Sequence, residues 1–183
     1  MKLNLGCGSQ ILPGYCNVDK FGAPDLVWDL ECLPWPWDDN SAEEVLLIHV
    51  LEHLGRDPDG FIAIIKELYR ICRNGALVKI IVPHPRHDTF LNDPTHVRAI
   101  TIATMEMFSR RINLEWQKLG AANTPLALMH DVDFETASAV SILDEPYQSL
   151  YRDGKITAQQ MLEKERMLNN VVLEIEMTLR AQK

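Results

Sequence analysis

The chain has 183 residues, a net charge of −8 at pH 7, 46% hydrophobic residues and 24% charged ones. That length suits one domain with a real core, and no run approaches the roughly 20 apolar residues needed to span a bilayer. The acidic balance, present in both halves, argues against a nucleic-acid partner, because gripping a phosphate backbone calls for a basic excess or stripe.

In chain order, Lys2-Leu3-Asn4-Leu5-Gly6-Cys7-Gly8 reads as a short buried strand running into a glycine turn. Glycines at such a turn let the backbone take positive φ and let a ligand approach the main chain closely. The strand pattern begins at residue 1, with no signal-peptide pattern before it. The four cysteines, Cys7, Cys16, Cys32 and Cys72, have neither C-x-x-C nor disulfide-scaffold spacing. A cytoplasmic protein with reduced thiols is the expectation. Pro13-Gly14 is turn chemistry, so any helix after the first strand is very short. Tyr15–Asp19 and Asp25–Leu30 follow as strands closing on acids, Asp19 and Asp29. A carboxylate at the end of strand two is where nucleotide-binding α/β folds hold ribose hydroxyls. Trp35 and Trp37 sit in a proline-punctuated loop, where packing against the sheet edge accounts for them.

Glu43–Leu51 turns continuously apolar, the pattern of a central parallel strand buried on both faces. Asp57-Pro58 gives an N-cap followed by proline at the first helical position. Phe61, Ile64, Ile65, Leu68 and Cys72 mark one helical face, Asn74-Gly75 reads as the stop, and Ala76–Pro83 is the next buried strand. A long polar loop, 84–98, collects His84, His87, Asp88, Asp93, His96 and Arg98. Loops this long at a strand's carboxyl end are usually functional. Thr101 caps a helix with Met105, Phe108 and Ile112 on one face. Leu126–Ile142 holds one or two strands, forming either the outer strand of the sheet or a dimer contact. Glu145–Asn170 is helical, with Thr157 and Gln160 spaced as a capping box, and Val171–Arg180 alternates as a half-exposed final strand.

Taken together, Leu3-Asn4-Leu5-Gly6-Cys7-Gly8, Asn17-Val18-Asp19, Asp29-Leu30, Leu33-Pro34-Trp35-Pro36, Asp39-Asn40-Ser41 and His49-Val50-Leu51-Glu52-His53-Leu54 resemble a class I S-adenosylmethionine-dependent methyltransferase of the type 11-like kind. Glu67–Ile71, Asn74-Gly75 and Val82-Pro83 continue the likeness, which covers roughly the first half of the chain. The resemblance implies an α/β, Rossmann-like fold: a mostly parallel seven-stranded sheet with helices on both faces and an antiparallel C-terminal strand. One domain would span 1–183, with 1–98 the cofactor-binding half and 99–183 completing the sheet and the substrate side. S-adenosylmethionine would be the cofactor. Gly6, Cys7 and Gly8 would wrap its methionine part, Asp19 its ribose hydroxyls, and Asp29 its adenine amino group with Leu30 against the ring. His49 would face the sulfonium side. Asn4 departs from the acidic residue often found there, and the near-absence of a helix after Gly8 leaves that side of the pocket more open.

Displacement at a sulfonium needs mainly positioning, with a base where the acceptor carries a proton. His87 or His96 is the expected base, oriented by Asp93 or Asp88, with His84 and Arg98 on the substrate side. No H-x-x-x-H pair on a helix supports a metal, and class I transfer generally needs none. The expected acceptor is an oxygen or nitrogen of a small or sugar-like molecule. The alternative is a non-catalytic cofactor-binding scaffold or partner subunit. A nicotinamide dehydrogenase is disfavoured because Ile11 stands where the third glycine of G-x-G-x-x-G would be.

Overall fold

The computed structural model describes residues 1–183 as a seven-stranded sheet in the order β3-β2-β1-β4-β5-β7-β6. The strands are β1 (Lys2–Leu5), β2 (Cys16–Asp19), β3 (Leu26–Val27), β4 (Ala42–Ile48), β5 (Cys72–Pro83), β6 (Phe134–Leu143) and β7 (Val172–Ala181). β1 to β5 pair in parallel, whereas β7 runs antiparallel to both β5 and β6. The mostly parallel sheet and its antiparallel C-terminal strand stand as expected.

Helix α1 (Pro58–Ile71) joins β4 to β5 and begins where the local chemistry says it should. Asp57 caps it by accepting from the Gly60 N–H at 2.9 Å, and Pro58 opens the first turn. Its apolar stripe, Phe61, Ile64, Ile65, Leu68 and Ile71, is buried. The facing side chains are Leu3 and Leu5 of β1, Val45 and Leu47 of β4, Val78, Ile80 and Val82 of β5, and Ile175, Met177 and Leu179 of β7, each at most 4% exposed. Phe61 meets Phe108, and Tyr69 meets Phe134, both edge to face, so the segment before β6 packs on the same side as α1. That segment holds α2 (Asp88–Leu91), α3 (Ile102–Glu106), α4 (Arg110–Leu119) and α5 (Leu126–His130). Between β6 and β7, α6 (Tyr147–Arg152) and α7 (Ala158–Met167) close over a small separate core of Ile156, Met161 and Val171.

The opposite face of the central strands is only partly the buried surface that β4 suggested: Leu46 and Ile81 are at most 8% exposed, and polar pairs surround them. Alternate residues there are polar and ion-paired: Lys2 with Glu44 at 2.7 Å and Lys79 with Glu176 at 3.4 Å. No helix connects β1 to β2 or β2 to β3. Instead a hydrogen-bonded network secures those loops. Asn4 Nδ2 donates to Gln10 O and to Asn17 Oδ1, and Asn17 Nδ2 donates to Asp25 Oδ2. At 3% exposed, Asn4 is a brace for the turn after β1.

Several boundaries differ from expectation. α1 ends at Ile71 and β5 starts at Cys72, so Asn74-Gly75 lies inside a strand. A register shift between Ala42 and Glu44 accommodates it, and Gly75 takes φ +79°. The helix after Thr101 breaks at Met107, and Ser109 caps a second one. Leu126–Ile142 is a short helix followed by β6, which is the outer strand of the sheet. Glu145–Asn170 divides into α6 and α7, with the Thr157–Gln160 capping box present.

Candidate active site

The loops after β1, β2, β3 and β4 converge at the carboxyl ends of the strands, where open α/β sheets bind ligands. They form a cleft of about 230 Å³ lined by Gly6, Asp19, Asp29, Leu30, His49 and His53, among others. Asp19 is held ready: its Oδ2 accepts from the Gly8 N–H at 2.8 Å and its Oδ1 from the Phe21 N–H at 2.9 Å. Each oxygen retains a lone pair for a further donor. Asp29 Oδ1 accepts from the Glu31 N–H at 3.0 Å, and its Oδ2 stands 3.6 Å from Lys20 Nζ. Leu30, 5% exposed, supplies an apolar wall.

Of the glycine turn, Gly6 alone borders the cleft. It takes φ +66°, and a Cβ there would stand 2.4 Å from Val50 Cγ2. Gly8 takes φ +51° with nothing within 4 Å of a built Cβ. Cys7 is buried behind the turn, where burial first, and Asp19 second, push its thiol pKa up. Gly6→Ala is therefore expected to cost about 2 to 3 kcal/mol, from a strained backbone and a clash with a cleft wall. Gly8→Ala is expected to cost only the left-handed term, about 1 kcal/mol. Urea denaturation of both variants checks the order.

A second cleft, about 320 Å³, shares His49 and His53 with the first and adds Glu52, Asp93, His96 and Glu174. His49, the first residue after β4, has φ +55°, an uncommon conformation for a non-glycine residue. Strained residues of this kind gather at functional sites. Glu52, 3.7 Å from Nδ1, raises the His49 pKa above its ordinary value; burial works against that, and Glu174, 3.3 Å from Nε2, adds a smaller pull.

The structure brings His96 and Asp93 into this cleft but not His87, His84 or Arg98. His87 is 6% exposed and both ring nitrogens are engaged. Nδ1 lies 2.8 Å from Thr89 Oγ1 and caps α2, and Nε2 lies 3.1 Å from Asp144 Oδ2 at the end of β6. His87 thus anchors the loop, and its hydrogen bond holds the Asp144 carboxyl below its usual range. His87→Ala is expected to lower stability by about 1 to 2 kcal/mol, the worth of two hydrogen bonds. A thermal melt checks this. His84 Nδ1 accepts from the Arg86 N–H at 3.2 Å, and burial, then Arg86 and His87, lower its pKa. Asp88 lies in the first turn of α2. Arg98 donates to the carbonyls of Gly55 and Asp57 and stacks over Phe61, so it braces the turn before α1.

His53, one of the histidines expected to converge over the methyl group, lines both clefts, whereas Glu52 and Glu174 from β7 were not expected there. Glu52 and His53 lay within a quoted motif, and an acid beside a histidine at the end of an apolar run is a signal in its own right. Glu174 had none, because only the antiparallel pairing of β7 with β5 brings it there.

No family model matches the chain, and no curated protein sequence matches it. Solved structures do. An S-adenosylmethionine-dependent methyltransferase from Archaeoglobus fulgidus is similar at TM-score 0.56 and 19% identity, over 98% of this chain and 85% of its own. Burkholderia thailandensis 1,6-didemethyltoxoflavin-N1-methyltransferase, solved with 1,6-didemethyltoxoflavin and S-adenosylhomocysteine, is similar at TM-score 0.54 and 11% identity, over 100% and 71%. A chain in the complex of the Haloferax volcanii Trm112 methyltransferase activator with a methyltransferase is similar at 0.50 and 15%, over 100% and 82%. The strand order and these likenesses agree on one conclusion: the chain has the class I S-adenosylmethionine-dependent methyltransferase fold.

Proposed function

We propose that this protein binds S-adenosylmethionine in the first cleft and transfers its methyl group to an oxygen or nitrogen of a small acceptor in the second. The observation that carries the reading is the shared wall. His49 and His53 border both clefts, so a sulfonium at the inner end of the first would meet an acceptor held in the second. In-line transfer asks for that adjacency more than for any one catalytic group.

In this reading Asp19 holds the ribose hydroxyls, Asp29 accepts from the adenine amino group, Leu30 packs on the ring, and Gly6 admits the methionine backbone. Cys7 and Gly8 support the turn from behind. The cofactor supplies an activated methyl group, and the chain's residues position it and exclude water. Asp93, Glu52 and Glu174 make the acceptor cleft acidic, which suits a neutral or cationic acceptor better than a phosphate.

Calorimetric titration with S-adenosylhomocysteine tests the first half, and a turnover screen with labelled S-adenosylmethionine over amine, phenol and sugar acceptors tests the second. One-to-one binding with turnover supports the reading, and no binding overturns it. Binding without turnover until a partner is added would favour a second reading, a subunit completed by another chain. The Haloferax structure, in which a methyltransferase is in complex with its activator, motivates that comparison.

A further inference from the structure

Glu52 poses a question that methyl transfer does not answer. Its side chain is 1% exposed, and neither carboxylate oxygen has a hydrogen-bond partner. A buried ionised carboxylate without hydrogen bonds is costly unless a cation sits beside it. His49 Nδ1, at 3.7 Å, is within ion-pair reach but too far for a hydrogen bond, so it offsets part of that cost and leaves both oxygens without a donor. The side chains that do gather around Glu52 are His53 and His96, with ligand atoms of all three within 4.8 Å of one another.

Hydrogen bonds fix the tautomer of both imidazoles. His96 Nδ1 lies 2.9 Å from the Phe90 carbonyl oxygen, which only accepts, so Nδ1 carries the proton. His53 Nδ1 lies 3.0 Å from Thr95 Oγ1 and 3.3 Å from the Thr95 carbonyl oxygen. The Thr95 hydroxyl spends its own proton on Asp93 Oδ1, at 2.6 Å, so it too accepts from His53. Both rings therefore keep a lone pair at Nε2. A ring nitrogen donating to a carbonyl while the other stays free is the usual outer support of a metal-bound histidine.

We propose that Glu52, His53 and His96 form a binding site for a divalent first-row transition metal ion at the floor of the second cleft. Two imidazole nitrogens and one carboxylate suit Zn²⁺, Fe²⁺ or Mn²⁺ better than Mg²⁺ or Ca²⁺, which take oxygen ligands. Bonds of about 2.0 to 2.2 Å would draw the three side chains together by a few tenths of an ångström to about one. Asp93 Oδ2, 3.7 Å from His96 Nε2, stands ready as a fourth donor or a hydrogen-bond partner for a bound water. The surrounding carboxylates balance the ion's charge. A base would need one lone pair; three converging donors, one of them a buried carboxylate that accepts no hydrogen bond, fit a metal instead. At this place the ion would bind the acceptor atom and favour its deprotonated form, as metals do for bound water.

The test is calorimetric titration of chelator-treated protein with ZnCl₂, with CoCl₂ absorption as a second readout of nitrogen and oxygen ligation. The expected result is one Zn²⁺ per chain, weakened at least about 100-fold in His53→Gln and in His96→Gln, and unchanged in His130→Gln on α5. A wild type that takes up no Zn²⁺ at 100 µM (roughly, the weakest affinity worth calling a site) overturns the proposal. Binding that survives both cleft substitutions overturns it equally. Thermal melts without metal identify any variant that fails to fold, and Glu52→Gln then supplies the third arm. S-adenosylhomocysteine titrated into the same samples separates the two readings, since cofactor binding does not require the ion.

Discussion

Asp19→Ala is expected to weaken S-adenosylhomocysteine binding by about 100- to 1000-fold. A hydrogen bond from a hydroxyl to a carboxylate contributes roughly 1.5 to 3 kcal/mol; in this open cleft the pair of ribose hydroxyls falls at the low end of the sum, about 3 to 4 kcal/mol, and each 1.4 kcal/mol is tenfold. The carboxylate is already oriented by the Gly8 and Phe21 N–H groups, so little ordering remains to be done when the ligand arrives. The alanine variant also frees those two N–H groups, at an expected cost of about 1 to 2 kcal/mol in stability. Asp19→Asn keeps one acceptor oxygen and should lose about tenfold. Asp29→Ala removes a partly exposed contact, screened by Lys20, and should lose about tenfold as well. Calorimetry on the four proteins checks the ranking. Wild-type affinity in a folded Asp19→Ala variant would show that the cofactor does not lie in this cleft.

The parts of this molecule that were legible in its sequence are those decided locally. An Asp-Pro pair is an N-cap and a first helical residue in any context, and Thr157 and Gln160 satisfy each other across one turn wherever they occur. Strand ends closing on acids predicted where Asp19 and Asp29 would stand. What local chemistry could not decide was settled by pairing. Asn74-Gly75 has the composition of a helix stop and equally of a strand irregularity. The partnership of Cys72 with Ala42 and Leu77 with Glu44 selects the second. Apolar continuity in β4 suggested burial on both faces, and Leu46 is buried on the outer one, yet Lys2 and Lys79 from neighbouring strands put ion pairs around it. The loop histidines show the same limit at the site. His87 and His96 share a loop and a side-chain chemistry. Which of them can act depends on which nitrogen is left free, and that is fixed by Asp144 and Phe90, distant in sequence or contributing only a carbonyl.

Glu67→Ala is expected to destabilise the protein by about 2 to 3 kcal/mol and to weaken cofactor binding by several-fold, although Glu67 touches no part of the cleft. Glu67 Oε1 accepts from the Trp35 N–H at 2.6 Å and from Arg70 Nη2 at 2.6 Å, and Oε2 accepts from Arg70 Nε at 2.9 Å. Arg70 reaches on to Asp39 and to the Trp35 carbonyl, so one carboxylate on α1 pins the loop between β3 and β4. The connection runs further. Trp35 Nε1 donates to the Leu30 carbonyl oxygen, and Leu30 and Asp29 are walls of the cofactor cleft. Removing Glu67 leaves a buried N–H unpaired and the Arg70 charge half-compensated by exposed Asp39, which is why the cost falls below that of a fully buried pair. Glu67→Gln keeps an acceptor for Trp35 and should cost about half as much. The pH dependence separates charge from shape. Arg70, and then the Trp35 N–H, hold the Glu67 carboxyl below its ordinary value of 4.5, against the opposing effect of burial. A depressed carboxyl contributes stability that is full above the unfolded value and lost as pH falls through the folded one. Urea midpoints of the wild type should therefore drop more steeply below pH 4.5 than those of Glu67→Gln, and the two curves should converge in acid. Parallel curves would mean that the carboxylate acts through packing alone, and that the ion pair with Arg70 contributes nothing to holding the cleft wall in place.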